Sequence, residues 1–259
     1  MKVIAVANQK GGVGKTTTSV NLSTALAAME KRVLLIDLDP QGNATVSVGL
    51  QKGDLVATAF ELLVDQQPLS EVATPLESLG MDCVPADGDL TAAEVALLSL
   101  EDREQRLKTA LQAGKLLYDF VIIDCPPSLN MLTLNALVAA DTVLITMQCE
   151  YFALEGLSAL METINTVSQT VNPALRIEGI LRTLYDPRNA LTNEVSEQLH
   201  QHFEGLVYRT VIPRYVRLAE APSHGVPGIV YGRLSRGSTA YMALAGEFMR
   251  RQEQNKEHS

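Results

Sequence analysis

Apolar and polar residues are arranged in two patterns along this chain, and each pattern predicts one kind of secondary-structure element. Seven short, mostly apolar runs predict buried strands at Val3–Ala7, Val33–Asp37, Met81–Pro85, Phe120–Asp124, Thr142–Gln148, Ile177–Thr183 and Val207–Val211. The stretches between them predict helices at Thr16–Met29, Thr91–Leu98, Glu101–Ala113, Met131–Ala139, Leu154–Val171 and Thr192–Phe203. Strands that are apolar on both faces and alternate with helices are typical of a mostly parallel sheet covered on both sides. The pattern therefore predicts an α/β fold.

Length and composition set the scale of that fold. The chain has 259 residues, of which 46% are hydrophobic, and this suits one large α/β domain. We expect residues 1–251 to form the domain and the polar residues 252–259 to be a disordered tail. No apolar run reaches the length of a membrane span, and Lys2 leads straight into a strand, so neither a transmembrane helix nor a signal peptide is predicted. Three scattered cysteines without metal-ligand spacing favour a reduced, cytosolic protein.

A glycine-rich segment separates the first predicted strand from the first predicted helix. It reads Asn8-Gln9-Lys10-Gly11-Gly12-Val13-Gly14-Lys15-Thr16-Thr17. Backbone N–H groups around Gly12–Lys15, together with the helix N-terminus, can hold a polyphosphate. Lys15 supplies a mobile charge for the β- and γ-phosphates, and the Thr16 hydroxyl is placed to ligate Mg²⁺. Gln9 stands where the general phosphate-loop pattern has its first glycine, and a second lysine, Lys10, lies inside the loop.

Two further predicted strands end in carboxylates. The strand Val33–Asp37 continues into Leu38-Asp39-Pro40-Gln41-Gly42-Asn43, and the strand Phe120–Asp124 continues into Cys125-Pro126-Pro127. In parallel α/β sheets the ligand lies at the carboxyl ends of the strands. All three motifs are therefore expected to converge on one crevice, which makes the fold a single-domain P-loop NTPase with a mostly parallel, doubly covered sheet.

These three segments resemble the deviant Walker A, A′ and B segments of the ParA/MinD ATPases. The later runs Pro213-Arg214, Val216-Arg217-Leu218 and Glu220-Ala221-Pro222-Ser223-His224-Gly225 narrow the resemblance to the ParA/Soj branch of chromosome and plasmid partition proteins. The resemblance extends from about Lys2 to about Arg251. It implies that ATP with Mg²⁺ is bound by the loop residues Gly11, Gly12, Val13, Gly14, Lys15, Thr16 and Thr17.

The carboxylates at the strand ends are candidates for binding the metal and for activating the attacking water. We expect Asp124 to hold Mg²⁺ through water, because Mg²⁺ keeps much of its hydration shell. Asp39 is the best candidate to orient and deprotonate the attacking water, and the resemblance implies the same role. Two roles stay open for Asp37: contact with the metal's water shell or Lys15, or a structural carboxylate that caps the neighbouring loop.

The resemblance also implies roles for Lys10 and for the segment after residue 212. Lys10 would cross a dimer interface and touch the partner's nucleotide, acting in trans like an arginine finger, and the bare backbone of Gly11 and Gly12 permits that approach. Dimerisation would then depend on ATP. Pro213 and Tyr215 lie in the segment that lines the adenine pocket in this family, although the branch usually has Asn where this chain has Tyr215.

The charge of the chain is uneven, which bears on its partners. The net charge is −9, yet residues 1–173 carry 10 basic and 21 acidic residues, whereas residues 174–251 carry 10 arginines and 7 acidic residues. Such asymmetry either forms a local phosphate-binding face or is a set of solvated and paired arginines. Arg188 and Arg217 match positions that the family uses for nonspecific contact with double-stranded DNA, whose phosphates require cations and no base code.

The resulting hypothesis is a slow ATPase that partitions DNA. Mg·ATP drives a sandwich dimer, the dimer binds the nucleoid nonspecifically, and a ParB-like partner stimulates hydrolysis and release. A MinD-like membrane-associated ATPase is one alternative, but the tail after Met249 lacks the apolar face that membrane binding requires. A nitrogenase-reductase-like protein is another alternative, but it would need paired cysteines around an iron–sulfur cluster, and the three cysteines of this chain are scattered. A ParA-like ATPase that positions a protein cargo is a further alternative.

Overall fold

A single eight-stranded sheet organises the chain. The structure, a computed structural model, describes residues 1–113 and 117–257. The strands are β1 Lys2–Ala7, β2 Val33–Asp37, β3 Thr74–Leu76, β4 Met81–Val84, β5 Phe120–Asp124, β6 Thr142–Gln148, β7 Arg176–Tyr185 and β8 Val207–Pro213. Their order in the sheet is β3-β4-β2-β5-β1-β6-β7-β8, and only the β3–β4 pair is antiparallel. The predicted α/β class with a mostly parallel sheet is confirmed.

Helices cover both faces of this sheet. They are α1 Lys15–Ala28, α2 Asn43–Ser47, α3 Leu69–Val72, α4 Leu90–Leu98, α5 Arg106–Ala113, α6 Met131–Ala139, α7 Ala153–Thr170, α8 Ala190–His202, α9 Val216–Glu220, α10 Gly228–Tyr231 and α11 Arg236–Glu257. One core cluster packs α4 to α8 against one face, and a second packs α1, α2 and α9 to α11 against the other. Successive β1 residues alternate between the two clusters, as the two-residue period of a strand requires. Among the described residues, no helix combines the length and apolarity needed to cross a bilayer.

The C-terminal helix differs from the sequence-based expectation. We predicted a disordered tail from residue 252, but α11 continues to Glu257, and the last two residues lie outside the described part of the chain. Gln252 is only 6% exposed, because its Nε2 donates to Glu178 Oε1 at 2.6 Å. Lys2 Nζ donates to the other oxygen of the same carboxylate at 2.7 Å. A buried polar partner therefore holds a polar stretch in helical form, which composition alone does not indicate.

The same helix covers the edge strand β8. Glu247 accepts hydrogen bonds from the backbone N–H groups of Arg209 and Thr210, both at 2.8 Å. Arg251 donates to the carbonyl of Val207 at 3.0 Å and lies over the ring of Tyr208. Burial alone would raise the pKa of Glu247, but these hydrogen bonds hold it below its ordinary value. The pairing occupies backbone groups that an open sheet edge would otherwise leave for other chains.

Candidate functional site

The glycine-rich loop connects β1 to α1 at the carboxyl edge of the sheet. Gly12 and Gly14 have φ angles of +74° and +79°, in the left-handed region that favours glycine. A Cβ at Gly11 or Gly12 would meet no described atom within 4 Å. The loop is tied to β7, which lies beyond β6 in the sheet, because Thr183 Oγ1 donates to the carbonyl of Val13 at 2.8 Å. The result is a held backbone with an open outer side, suited to a phosphate chain.

The side chain of Lys15 folds back over the glycine-rich loop. Lys15 is only 7% exposed, and its Nζ donates to the carbonyl of Lys10 at 3.1 Å. Burial lowers the pKa of Lys15, and the nearby carboxylates of Asp124 and Asp39 act in the opposite direction. The next residues, Thr16 and Thr17, are half-buried at the start of α1. The ammonium and the Thr16 hydroxyl thus lie on the same side as the strand-end carboxylates.

Asp124, at the end of β5, is buried between β1 and β2. Its Oδ1 accepts a hydrogen bond from Ser19 Oγ at 2.9 Å, and the Thr16 side chain also favours the charged form. Within residues 1–113 and 117–257, its Oδ2 is buried and has no hydrogen-bond partner. Burial is the main cause that raises the pKa of Asp124, and the negative charge of Asp37 is the second. An unpartnered buried carboxylate oxygen beside a threonine hydroxyl is a donor set that fits Mg²⁺.

The protein ligands available near the phosphate loop are few. No cluster of three or more His, Cys, Asp or Glu side chains able to hold a metal occurs in the described part of the chain. Mg²⁺ is commonly held by one or two protein ligands, with substrate phosphates and water completing its shell. Thr16 and Asp124 therefore fit a magnesium ion whose shell is completed by phosphate and water.

Asp37 and Asp124 are direct partners across β2 and β5, but their contacts differ. Asp37 Oδ2 accepts from the backbone N and from Oγ1 of Thr45, both at 2.8 Å. Its Oδ1 accepts from the backbone N of Asp39 at 3.1 Å. Burial raises the pKa of Asp37 to about 6, although the Thr45 hydrogen bonds favour its charged form. These contacts correspond to the structural alternative, in which Asp37 anchors the loop after β2.

Asp39 lies in the turn that follows this anchor. It is half-buried, and its Oδ1 accepts from the backbone N of Gln41 at 2.9 Å. Its carbonyl accepts from Gly42 N at 2.7 Å, which closes the turn. Its charge contributes to the shifted pKa values of Lys15 and Asp124. Asp39 is therefore part of the same electrostatic site as the phosphate loop.

Lys10 is the exposed cation of the loop. Its ammonium forms an ion pair with Glu150, which follows β6, and the two side chains are 50% and 42% exposed. The backbone N of Lys10 donates to Asn8 Oδ1 at 2.9 Å. The backbone is therefore fixed in the loop while the charged end lies at the surface. Sequence reasoning did not identify Glu150, because no local spacing connects it to the loop.

The residues predicted for the base pocket lie at the end of β8. Pro213 is the last residue of that strand, and the backbone N of Arg214 donates to the carbonyl of Tyr185 at 3.3 Å. Tyr215 precedes α9, is half-buried and packs against the core cluster that contains α11. Contact of Pro213 and Tyr215 with a base stays a prediction.

The arginines of the C-terminal third do not form one face. Arg188 is 88% exposed and forms a two-pronged pair with Asp186, and Arg217 is exposed on α9. By contrast, Arg182 is 6% exposed and donates to Ser196 Oγ at 2.7 Å, inside the fold. Arg251 also serves the fold, through its contacts with β8. A charge count therefore overstates the basic surface, although Arg188 and Arg217 both remain accessible to a polyanion.

Comparisons with known proteins agree with this geometry. A family model described as an AAA domain matches residues 1–177. The sporulation initiation inhibitor protein Soj of Bacillus subtilis is 52% identical, over 95% of this chain and 97% of that protein. The chromosome partitioning protein ParA of Myxococcus xanthus is 49% identical, over 96% of this chain and 88% of that protein. A crystal structure of cobyrinic acid a,c-diamide synthase from Mycobacterium smegmatis, with a bound ATP analogue and magnesium, has a TM-score of 0.86 and 38% identity, and the match covers 98% of this chain and 97% of that one.

Proposed function

The chain belongs to the ParA/Soj family of partition ATPases, and we propose that it is the ATP-driven component of a DNA-partition system. Its membership of this family makes it an ATPase. The observation that carries the proposal is the convergence of Lys15, Asp124 and Asp39 on one glycine-rich loop, with Asp124 Oδ2 buried and unpartnered among the described residues. Chromosome or plasmid segregation is the function that these features and the named relatives favour together.

We assign the substrate as ATP with Mg²⁺. Gly11 to Gly14 offer backbone N–H groups, and Lys15 supplies the cation for the β- and γ-phosphates. Thr16 and Asp124 would hold Mg²⁺, which neutralises the charge of the phosphates when it is bound. Asp39 is assigned to orient the attacking water and to accept its proton, since it is half-buried, whereas Asp37 and Asp124 are fully buried.

We further propose that ATP drives a sandwich dimer in which Lys10 acts in trans. The charged end of Lys10 lies at the surface, paired with Glu150, whereas the ammonium of Lys15 donates to the carbonyl of Lys10. A surface ion pair of this kind is weak and exchanges readily. A second subunit could therefore capture Lys10, and its cation would stabilise charge in the transition state of phosphoryl transfer.

The proposed dimer binds DNA without sequence preference and is released by a ParB-like partner. Arg188 and Arg217 are exposed and long enough for phosphate contacts, and a dimer doubles their number. Nucleoid association would follow from this binding. Slow intrinsic hydrolysis would keep the switch in its bound state until the partner arrives.

The alternatives are less well supported. A MinD-like membrane role needs a free amphipathic C-terminal helix, whereas the apolar side of α11, with Leu244 and Phe248, is fully buried in the core. Positioning of a protein cargo would use the same switch with a different partner. The relative at 49% identity is named a chromosome partitioning protein, and the relative at 52% identity is Soj. The first of these names favours DNA as the cargo.

Binding of an unrelated DNA duplex, in ADP and in a slowly hydrolysed ATP analogue, tests this function directly. We expect the duplex to bind only with the analogue. Its affinity should fall steeply with salt, and the plot of log K against log[salt] should have a slope of roughly −0.9 per phosphate contact. Lys15→Ala should lose nucleotide binding and DNA binding together, whereas Lys31→Ala, beyond the opposite end of α1, should lose neither. Equal DNA affinity with both nucleotides would refute the switch.

A further inference from the structure

We propose that Thr45, which lies outside the phosphate loop, is a positioning residue for hydrolysis. It holds Asp37, and Asp37 in turn holds the backbone of Asp39. This inference rests on the proposed role of Asp39 and adds to it a connection that no motif assigns. The connection consists of four hydrogen bonds among residues of β2, the turn that follows it, α2 and the loop after β4.

The first part of the connection is the carboxylate of Asp37. Thr45 is fully buried, and both its backbone N and its Oγ1 donate to Asp37 Oδ2 at 2.8 Å. The other oxygen, Oδ1, accepts from the backbone N of Asp39 at 3.1 Å. One fully buried carboxylate therefore joins α2 to the residue assigned to the attacking water. Losing either donor would leave a buried charge partly unsatisfied, and Asp37 would shift to regain a partner.

The second part of the connection is the hydroxyl of Thr45, which also works as an acceptor. The backbone N of Ala86, just after β4, donates to Thr45 Oγ1 at 2.8 Å. α2 lies close to this loop, since a Cβ added at Gly42 would be only 2.5 Å from the carbonyl oxygen of Ala86. The hydroxyl thus uses its proton toward Asp37 and a lone pair toward Ala86. A methyl group of the same size could do neither.

Asp39 depends on this connection because its own contacts are local. Its carboxylate accepts from Gln41 N, and its carbonyl accepts from Gly42 N, both inside the same turn. The chain entering this turn is held to β5 by the bond from Leu38 N to the carbonyl of Asp124 at 3.0 Å, and the bond from Asp39 N to Asp37 then fixes Asp39 itself. A misplacement of about 1 Å in a catalytic group costs on the order of 10²-fold in rate. Thr45 therefore affects hydrolysis without touching the nucleotide.

The decisive comparison is Thr45→Val against Thr45→Ser. Valine keeps the shape but removes donor and acceptor, so we expect kcat for ATP hydrolysis to fall by about 10- to 100-fold. The KM and the Kd for the ATP analogue should change by less than about twofold, because the phosphate loop is untouched. Serine retains the hydroxyl and should restore kcat to within a few-fold of the wild type.

A matched control comes from the same helix. Ser47 is also buried, but its hydroxyl donates to the carbonyl of Asn43 within α2, at 2.7 Å. Ser47→Ala should therefore leave kcat unchanged. If Thr45→Val does not fold, Thr45→Ala removes the same hydroxyl without added bulk and should show the same fall in kcat.

The outcomes separate this inference from the proposed function. A wild-type kcat in folded Thr45→Val or Thr45→Ala, together with an inactive Asp39→Ala, would overturn the positioning role alone. A rise in KM that matches the loss of kcat, without rescue by Ser, would mean a merely structural residue and would also overturn it. Normal hydrolysis by Asp39→Ala would instead overturn the catalytic assignment on which the inference rests.

Discussion

Replacement of Lys10 by alanine separates the two roles that a loop lysine can have. The Lys10 ammonium pairs with Glu150 at the protein surface, whereas Lys15 is buried over the phosphate loop. If Lys10 acts in trans, Lys10→Ala should still bind ATP, because the cradle and Lys15 remain. It should fail to dimerise, because the cation that reaches the partner's nucleotide is absent.

The structure sets the magnitudes for this variant. The side chains of Lys10 and Glu150 are 50% and 42% exposed, and exposed pairs contribute about 0–1 kcal/mol. The free energy of unfolding of the monomer should therefore change by less than about 1 kcal/mol. A cation acting in trans on phosphoryl transfer contributes on the order of 10³–10⁵ in rate, or about 4–7 kcal/mol. The effect on hydrolysis should thus far exceed the effect on stability.

Sedimentation velocity with a slowly hydrolysed ATP analogue distinguishes the possibilities, with urea unfolding run in parallel. Glu150→Gln is the matched control, because it breaks the same ion pair but keeps Lys10. We expect it to dimerise at least as well as the wild type, and at most about fivefold more tightly, since releasing Lys10 costs no more than about 1 kcal/mol. A normal ATP-dependent dimer in Lys10→Ala would refute the role in trans.

Three further predictions follow from the site and the fold. Asp39→Ala should retain ATP and hydrolyse it ~10²–10⁴-fold more slowly; an unchanged rate of phosphate release would contradict the assignment of the water. Arg188→Glu and Arg217→Glu should each weaken the binding of every DNA duplex equally. The control Arg209→Glu, near the start of β8, should leave DNA binding unchanged. A gel-shift titration with two unrelated duplexes measures both effects. Glu247→Ala should lower the free energy of unfolding by about 1–3 kcal/mol, measured in urea. Since the pKa of Glu247 is lowered in the fold, this contribution is present at neutral pH and should disappear as the pH falls through that lowered value.

Local patterns predicted those elements whose burial is uniform or whose chemistry is local. All seven predicted strands occur, because residues buried on both faces form continuous apolar runs. The eighth, Thr74–Leu76, has three residues and contains a proline, so it left no such run. Helix α11 was not predicted, although Tyr241, Leu244 and Phe248 are buried at the spacing of one helix face. Its remaining residues are mostly polar and obscured that spacing.

Charge patterns were less informative, because a count does not say where a charge lies. Arg182 and Arg188 are separated by only six positions, yet one is buried against Ser196 and the other is 88% exposed. The difference depends on α8, which folds back over β7 and supplies a hydroxyl for the first arginine. In the sequence, Arg182 lies inside the predicted strand Ile177–Thr183 and Arg188 lies beyond it, but neither position gives the exposure of the side chain. The packing of a later element determines how far each arginine is buried.

The two strand-end aspartates show the same limit within the site. Asp37 and Asp124 are equivalent in sequence, since each ends an apolar strand, and they are paired across the sheet. Thr45 and the backbone of Asp39 donate to both oxygens of Asp37, whereas Asp124 receives Ser19 on Oδ1 and keeps Oδ2 without a partner among the described residues. A carboxylate whose oxygens are occupied by protein donors is suited to holding a loop in place. One with an unpartnered buried oxygen has capacity left for a metal and its water, so the available hydrogen-bond donors, and not residue type, distinguish these two carboxylates.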